Sequence, residues 1–462
     1  MKQKLKKLTA VVSAAAAMAA TFTFPAEVGD GFFDGFGNAI VASAADYTEG
    51  GYTITTDDPN CYTVEDSQYI IMKSNANVTI SGRDTKYTIR VPENATNVRI
   101  TLNNCSVLKE ARSWKNAIEL LSGSSTNITL EGTNNIQAGN ESSAIRVAEG
   151  ASLSIYGPGT LNASIKHAGA GAYSAVIGSQ YQCSCGNITI YGGTINANSN
   201  SIDAAAIGTA RWRNKEGTSN GTIALNGGTI NANKIGGINT SANCTVTGSG
   251  AAIVNSSNIN ADTASFNGIV FNENTGTVYG NAVVDEILEI SADMKLTIPD
   301  GATLTVTNTG TLTNNGTLTN NGTLTNKGTI IINDTFTNNG LIVNVDRGSV
   351  TGTVSGNQPV TTGTAFTITG SGLIYGQDYT YPADTGVLTI LSDKAVTISG
   401  TTETDIIFVA KNVLANITLN GVNIDVSSIS ETAAFKIEDD STGNVTITLA
   451  DDSENTLKSG EG

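Results

Sequence analysis

Residues 152–163 read SLSIYGPGTLNA, residues 187–197 read NITIYGGTINA, and residues 222–232 read TIALNGGTINA. In each stretch apolar residues alternate with Ser, Thr, Asn or Ala, which is the period-two pattern of a half-buried β-strand. Glycines interrupt the alternation in the middle of each stretch, where the backbone can adopt conformations that a Cβ would penalise. Each stretch therefore predicts two short strands joined by a tight corner.

A third short strand recurs ahead of each of these stretches. It consists of a small residue followed by an apolar one, at Ala117-Ile118, Ala144-Ile145, Ala175-Val176 and Ala205-Ala206-Ile207, with 27, 31 and 30 residues between the alanines. Three strands per turn of roughly 25 to 35 residues is typical of a parallel β-helix. Since one coil cannot bury its own apolar face, successive coils must stack about 4.8 Å apart.

The repeated strings also predict which residues stack. They end at Gly132, Gly157, Gly192, Gly227 and Gly248. Alignment on these glycines predicts an inward ladder of Ile128/Leu130, Leu153/Ile155, Ile188/Ile190, Ile223/Leu225 and Cys244/Val246. The same alignment predicts that Tyr156 and Tyr191 point outward and stack one coil apart, between Glu131 and Asn226. It also predicts a buried, unreactive thiol at Cys244.

Residues 283–358 follow a shorter repeat. An apolar residue recurs every six positions, at Leu312, Leu318, Leu324, Ile330, Phe336 and Ile342. Six residues per face predicts a narrower hexad-repeat β-solenoid, whose handedness the spacing does not give. The alternative is a disordered spacer, because Asn and Thr tracts alone bury little apolar surface.

The last part of the chain resembles the first. VRITLNNCSV at 98–107 is echoed by NITLNGVNIDV at 416–426, and residues 62–143 as a whole are echoed at about 379–462. This predicts a duplication whose second copy is truncated at Gly462. The predicted organisation is a signal peptide at 1–44, a parallel β-helix at 45–280, the hexad spacer at 283–358 and the start of a second β-helix at 360–462.

The amino terminus predicts export. Met1–Lys7 carries four lysines, and Leu8–Phe24 is an uncharged, alanine-rich stretch, as in a secretory signal peptide. Cleavage is expected after Ala44, with an earlier site at Ala17-Met18-Ala19 and a retained membrane anchor as alternatives. The mature chain is then extracellular, soluble or wall-associated, without a membrane span. Its net charge of −16 argues against a nucleic-acid partner, which would call for a basic surface.

No catalytic centre is recognisable in the sequence. Polygalacturonase-type hydrolysis needs clustered aspartates, whereas Asp203 is the only carboxylate between residues 151 and 215, and the sole histidine, His167, lies in KHAGAG rather than in a GHG motif. A calcium-dependent polysaccharide lyase is the remaining enzymatic alternative. Its carboxylates could come from adjacent coils at Glu119, Glu131, Glu141 and Glu149.

Metal and cysteine sites are weakly indicated. Calcium prefers six to eight oxygen ligands, and the candidate carboxylate pairs, each of which could equally be a solvated turn, are Asp57-Asp58, Glu65-Asp66, Asp439-Asp440 and Asp451-Asp452. Cys183 and Cys185 share one loop, where a thiol pair, a strained disulfide and a zinc half-site are all open. Cys61 and Cys105 are left without a predicted partner.

The loops carry the strongest functional signal. Both tryptophans have cationic neighbours, Arg112 beside Trp114 and the run Arg211-Trp212-Arg213. Sugars stack their C–H faces on aromatic rings, and arginine binds carboxylates in a bidentate manner. The candidate carbohydrate-binding residues are therefore Trp114, Arg112, Trp212, Arg211, Arg213, Tyr156 and Tyr191. The alternatives are that the tryptophans pack back on the solenoid edge and that the tyrosines only stabilise the sheet.

These motifs resemble a known family. The strings AVIG, CGNITIYGGTINA, AAIG, NGTIALNGGTINA, ITLNGVNI and ITLADDSENTL are similar to those of the secreted carbohydrate-binding β-helix family of Gram-positive anaerobes, whose fold is similar to that of pectate lyases. The resemblance covers residues 60–275 and 365–462 well and the hexad segment poorly. It implies a right-handed parallel β-helix, calcium bound in loops, and non-catalytic binding of plant cell-wall or acidic polysaccharide. A host glycan is a further candidate partner. A structural adhesin stalk is the alternative that the repeats themselves suggest, because fold transfers better than function.

Overall fold

The computed structural model describes residues 44–461 apart from 167–172, 202, 211–220, 238–243, 261–264, 346–347, 372 and 374. This part of the chain contains β-strands and no helix, and most strand pairs are parallel. The predicted all-β, solenoid-like class is therefore confirmed. The described residues form two compact units, one ending at Phe266 but including Val270–Glu273, and one containing Asn267–Ile269 and the chain from Asn274 onwards.

The strands of the first unit are short and closely spaced. They are β1 (Ala45–Glu49), β2 (Tyr52–Thr56), β3 (Tyr62–Glu65), β4 (Tyr69–Met72), β5 (Asn77–Asp84), β6 (Thr88–Val91), β7 (Val98–Leu108), β8 (Ile118–Leu120), β9 (Ser125–Glu131), β10 (Thr133–Ala138), β11 (Ile145–Val147), β12 (Ser152–Tyr156), β13 (Thr160–Ile165), β14 (Ile177–Gly178), β15 (Asn187–Ile190), β16 (Thr194–Ala197), β17 (Ile207–Gly208), β18 (Thr222–Leu225), β19 (Thr229–Asn231), β20 (Lys234–Gly236), β21 (Thr245–Asn255) and β22 (Asn258–Ile259).

These strands build coils with three faces. Strands β9, β12, β15 and β18 stack in parallel as face 1, and β10, β13, β16 and β19 stack as face 2. The long strands β7 and β21 cover both faces at either end of these stacks. Face 3 consists of β4, β6, β8, β11, β14, β17, β20 and β22. Antiparallel pairs occur at the start, where β1 pairs with β2, β2 with β5, and β3 with β4.

The interior is the predicted aliphatic ladder. Ile155 pairs with Ile190, and Ile190 pairs with Leu225; all three are 0% exposed. Burying such a side chain contributes roughly 1.5–3 kcal/mol, so each added coil stabilises the one before it. The stacking of these three residues is confirmed.

The predicted ladder is wrong by two residues at two coils. Ile155 pairs with Ile128 rather than with Leu130, and Leu225 pairs with Gly248 rather than with Val246. At the first of these coils the reason is the corner that follows. Thr133 pairs with Thr160. The residue before each threonine is a glycine, so Gly132 corresponds to Gly159 and not, as the alignment assumed, to Gly157.

A lysine is buried where face 2 ends. Lys109 is only 1% exposed, and its Nζ donates hydrogen bonds to the carbonyls of Lys86 and Tyr87 on the preceding coil. Burial lowers the pKa of this amine to about 8, against an ordinary value of 10.5, and Asp84 only partly offsets the effect. The amine thus joins two coils, but its charged form is disfavoured in the folded chain.

This lysine predicts a pH-dependent stability. Between pH 8 and pH 10.5 the unfolded chain binds a proton at Lys109 that the folded chain has released, so the free energy of unfolding should rise with pH across this window, by at most about 3 kcal/mol. Chemical denaturation at several pH values, comparing the parent chain with Lys109→Met, measures the difference. Equal slopes of the free energy of unfolding against pH in the two proteins would contradict the prediction.

The strands of the remaining chain begin with β23 (Asn267–Asn272), at the boundary of the units. They continue as β24 (Thr275–Tyr279), β25 (Asn281–Val284), β26 (Ile287–Ile290), β27 (Lys295–Ile298), β28 (Thr303–Val306), β29 (Thr311–Asn314), β30 (Thr317–Asn320), β31 (Thr323–Asn326), β32 (Thr329–Ile332), β33 (Thr335–Asn338), β34 (Leu341–Asn344), β35 (Ser349–Thr351), β36 (Ser355–Gly356), β37 (Val360–Thr361), β38 (Phe366–Thr369), β39 (Tyr379–Thr380), β40 (Val387–Ile390), β41 (Ala395–Thr402), β42 (Ile406–Val409), β43 (Asn416–Asp425), β44 (Phe435–Ile437), β45 (Thr446–Leu449) and β46 (Thr456–Lys458).

The hexad segment is a narrow parallel solenoid, as predicted. Leu318 pairs with Phe336 and Leu324 with Ile342 on the next coil, and the six predicted inward residues are at most 1% exposed. Buried asparagines close the corners: the Asn320 amide donates to Asn338 Oδ1 (2.7 Å), 18 residues along the chain, and to the Leu341 carbonyl (3.0 Å). These amides satisfy backbone groups that the tight corners leave unpaired, which explains why an Asn/Thr-rich tract is ordered.

The last segment has coils like those of the first unit. Strands β41, β43 and β45 are parallel, and β38 pairs antiparallel with β41. The β41–β43 pairing shifts register between Ile398 and Gly400, and the β5–β7 pairing shifts at the corresponding residues, between Ile80 and Gly82. The two strand pairings therefore share one local irregularity.

Candidate functional site

Two tyrosines form an exposed stack on face 1. Tyr156 and Tyr191 directly follow the paired residues Ile155 and Ile190, so their side chains leave the same side of adjacent coils. Their ring centroids lie 4.7 Å apart with an angle of 7° between the planes. The predicted stacking is confirmed. Tyr191 is 48% exposed.

The stack leaves only part of its aromatic surface open. Because the rings are parallel and separated by one coil spacing, each covers one face of the other. The next outward residue on the Tyr156 side is Thr129, not Glu131 as the glycine alignment predicted; on the Tyr191 side it is Asn226, as predicted. The small Asn226 side chain cannot cover a phenol ring, so the face of Tyr191 that overlies it is the aromatic surface a sugar can reach.

Face 2 carries an outward ladder of amides. The side-chain Nδ2 of each asparagine donates to Oδ1 of the asparagine on the preceding coil, at 3.0, 2.8, 2.7 and 2.6 Å along the row Asn135, Asn162, Asn196, Asn231, Asn255. Each bond uses one N–H and one lone pair per amide, so each inner residue of the row keeps a second donor and acceptor capacity. The fixed Asn of GTLNA and GTINA is the sequence signal of this row, which the predicted strand repeats alone did not indicate.

A groove of about 490 Å³ runs along this face. Its polar lining consists of Arg83, Ser106, Asn135, Gln137, Asn162, Ser164, Asn196 and Asn198. Arg83 is the one charged residue among these, so the groove offers mainly amide and hydroxyl groups. Such groups hydrogen-bond in both directions, as the hydroxyls of a saccharide require.

Face 3 holds a buried charge. Glu119 accepts hydrogen bonds from Arg90 Nε (2.8 Å) and Asn116 Nδ2 (2.7 Å), and the Arg90 guanidinium lies 3.7 Å from the centre of the Tyr69 ring. Each oxygen of this carboxylate thus accepts a hydrogen bond, Oε2 from Arg90 and Oε1 from Asn116. Arg146 pairs with Glu119 on the following coil, and its Nε is shielded from solvent without a hydrogen-bond partner.

The four carboxylates considered for a lyase do not form one cluster in the described part of the chain. Glu119 is committed to Arg90, and Glu131 and Glu149 are exposed. In the described part of the chain, no group of three or more His, Cys, Asp or Glu side chains could hold a metal ion. Asp203 lies in the described chain, whereas His167 lies outside it.

The predicted tryptophan loops are described only in part. Trp114 lies between β7 and β8 and is 66% exposed, so it does not pack back on the solenoid edge. Arg112 is exposed in the same loop, and Lys115 Nζ donates to Gln68 Oε1 (2.6 Å). Arg211, Trp212 and Arg213 lie outside the described residues. The structure therefore brings together the two tyrosines, but it places neither of them in contact with Trp114.

The calcium candidates occupy turns. Asp66 has a positive φ in the hairpin between β3 and β4, and Asp440 and Asp452 also have positive φ. Asp58 Oδ1 already accepts the Asn60 N–H (2.8 Å). Two carboxylates supply too few of the oxygens that calcium needs, so none of the four pairs fits calcium by its own side chains.

All five cysteines lie in the described chain, and none forms a disulfide. Cys244 is buried, as predicted, but it does not take the ladder position of Ile188. Thr245 pairs with Thr222, which puts Cys244 beside Gly221. Its thiol hydrogen-bonds the thiol of Cys185, and this bond, together with burial, raises the pKa of Cys185 well above its ordinary value. Cys183 and Cys185 therefore form no disulfide with each other, and the hydrogen-bond partner of the Cys185 thiol is Cys244.

No known protein family, curated protein or solved structure matches this chain. Across the described residues, no helix is long and apolar enough to cross a bilayer.

Proposed function

We propose that this chain is an extracellular, non-catalytic polysaccharide-binding protein, exported by its lysine-rich and alanine-rich amino terminus. The observation that carries the proposal is the exposed Tyr191 ring above Asn226, at the end of a two-tyrosine stack. The amide groove of face 2 supports it, because it offers uncharged donors and acceptors on the same coils. An extended glycan that follows several coils would meet both kinds of group.

Finer features of the proposal come from the family resemblance. They are a right-handed coil, calcium assistance and a preference for plant cell-wall or acidic glycans, with host glycans as a further candidate; the duplication of the β-helix is proposed from the echoed sequence segments. The exposed pair Arg112 and Trp114 suits an acidic sugar, because the guanidinium can bind its carboxylate while the indole stacks on its ring. In a chain of net charge −16, calcium would lessen the repulsion between the protein and a polyuronate.

Replacing Tyr191 with alanine should weaken glycan retention by roughly five- to twelvefold. The loss of one sugar–aromatic stack removes on the order of 1–1.5 kcal/mol. Affinity electrophoresis of the chain from Ala45 onwards, in gels containing pectic, cellulosic or host glycans with and without calcium, measures this. Tyr279→Ala, a partly exposed tyrosine of the other unit, is the matched control and should retain the parental mobility shift.

Two results would count against the proposal. Failure of every glycan to retard the parent chain, with or without calcium, would leave the structural adhesin stalk, which the unbroken ladders of the hexad solenoid favour. An absorbance increase from unsaturated uronate on polygalacturonate with calcium would instead show a lyase.

A further inference from the structure

The second unit contains a cleft of about 710 Å³. Its floor is the outer surface of β28, β31 and β34, with the threonines 303, 305, 323 and 325. Its opposite wall is formed by β38, by Leu373 and Tyr375 ahead of β39, and by Tyr379 at the start of β39. A volume of this size falls in the range of small-ligand sites, roughly 300–1,000 Å³.

The wall opposite the floor is held in place by packing. Gly376 lies so close to Leu341 that an added Cβ would be 3.2 Å from the leucine Cδ2. The Gly363 N–H donates to the Tyr381 carbonyl (2.7 Å). The Tyr381 ring is 0% exposed, packs 5.4 Å from the Phe366 ring, and its hydroxyl donates to the Asp405 carboxylate. The cleft is therefore preformed rather than created by a ligand.

The floor is a regular array of hydroxyl groups. Thr303 pairs with Thr323, and Thr305 with Thr325, so the four hydroxyls lie at the corners of a rectangle of about 4.8 Å by 7 Å. Tyr375 and Tyr379 face one another edge-on, with centroids 5.5 Å apart, and add aromatic surface to the wall. Lys327 is the one charged residue among the described lining residues.

This lining selects a class of ligand. With no carboxylate among the described lining residues, the cleft lacks the anionic ligands that a divalent cation or a polycation prefers, and a single exposed lysine is weak recognition for a polyanion. Hydroxyl donors and acceptors at fixed spacing, opposite aromatic rings, match the alternating polar and C–H surfaces of a pyranose.

We propose that this cleft binds a short neutral oligosaccharide, about two or three sugar units by volume. The site is separate from the tyrosine stack of the first unit, and the inference rests on the proposed function only for its ligand class. The second unit is then a binding unit in its own right and not merely a spacer.

The test fills the cleft without disturbing its scaffold. Thr325→Arg places a long side chain on the floor, whereas Thr319→Arg makes the same change at the same hexad position of β30, which does not line the cleft. Calorimetric titration of the chain from Ala45 onwards with cellotriose, xylotriose, mannotriose and trigalacturonate gives the affinities. We expect at least one neutral trisaccharide to bind, Thr325→Arg to weaken it at least tenfold, and Thr319→Arg to leave it unchanged.

Each other outcome contradicts the inference. The cleft is not the site if Thr325→Arg, shown by circular dichroism to be folded, binds the neutral trisaccharide like the parent, or if no neutral trisaccharide binds. Selective binding of trigalacturonate would overturn the neutral class. Retention of polymers that depends on Tyr191 is measured separately, so the function proposed for the first unit can stand while the cleft inference fails, and the reverse.

Discussion

Gly208→Ala should destabilise the first unit by about 3 kcal/mol or more, through backbone strain and a steric clash together. Gly208 has a φ of +132° and belongs to a row of paired glycines, Gly178, Gly208 and Gly236. A Cβ on Gly208 would lie 2.3 Å from the Gly236 carbonyl oxygen, which accepts the N–H of Thr209 at 3.1 Å. The coils would have to separate on face 3, and the ladder inside them would lose contact.

Gly150→Ala separates strain from clash in the same unit. Gly150 also has a positive φ, +75°, but the nearest atom to its added Cβ is Ser122 Oγ at 3.4 Å, an ordinary contact. Gly150→Ala should therefore lower the free energy of unfolding only by the strain of a left-handed backbone, about 1–2 kcal/mol. Urea denaturation of the parent and of the two variants measures how much each alanine lowers the free energy of unfolding. Equal destabilisation by the two alanines would mean that the close approach at Gly208 does not constrain the coils.

Leu130→Ala should cost about 2–5 kcal/mol, whereas Leu449→Ala should cost less than about 1 kcal/mol. The two leucines correspond in the repeated sequence: Leu130 pairs with Leu102 of VRITLNN, and Leu449 with Leu419 of NITLNG. Leu130 is 0% exposed, because later coils lie over it; the N–H of Gly159 donates to its carbonyl at 3.0 Å. Leu449 is 62% exposed.

Hydrogen exchange read out by mass spectrometry is the best measurement of these two destabilisations, since it reports the local stability of each unit separately. Leu130→Ala should speed exchange throughout β9 and the strands stacked on it, and Leu449→Ala should leave exchange of β43 unchanged. A comparable loss of protection in both variants would show that the exposed fraction of the leucine does not determine how much its truncation destabilises the coils.

The repeated strings were sufficient to predict the tyrosine stack. Tyr156 and Tyr191 follow aliphatic residues at matching positions of SLSIYG and NITIYG, and parallel pairing then requires that they meet. The same strings give the wrong partner for Leu130, because the glycine that ends each string does not stand at the same position of every coil. Paired residues from Ile118 to Ala138 and from Ile145 to Ile165 are in fact a constant 27 apart, the interval that the alanines 117 and 144 already show.

Other parts of the site carry weaker signals in the sequence. The asparagine ladder was visible as the fixed Asn of GTINA, but a single asparagine in a strand does not show that its amide bonds the next coil. The ion pair of Arg90 with Glu119 spans 29 residues, and nothing in the local sequence of either residue indicates the other. It removes Glu119 from the carboxylates a metal could use.

The sequence by itself determined the coils of this protein, because period-two alternation and a fixed strand order leave stacking as the only way to bury the apolar side chains. The tertiary structure alone decided which rung meets which, since register depends on how each corner turns in space. It alone also decided the cleft of the second unit, because the floor at Thr325 and the wall at Tyr375 are 50 residues apart in the chain and are brought to one cleft by a fold in which Gly376 lies against Leu341.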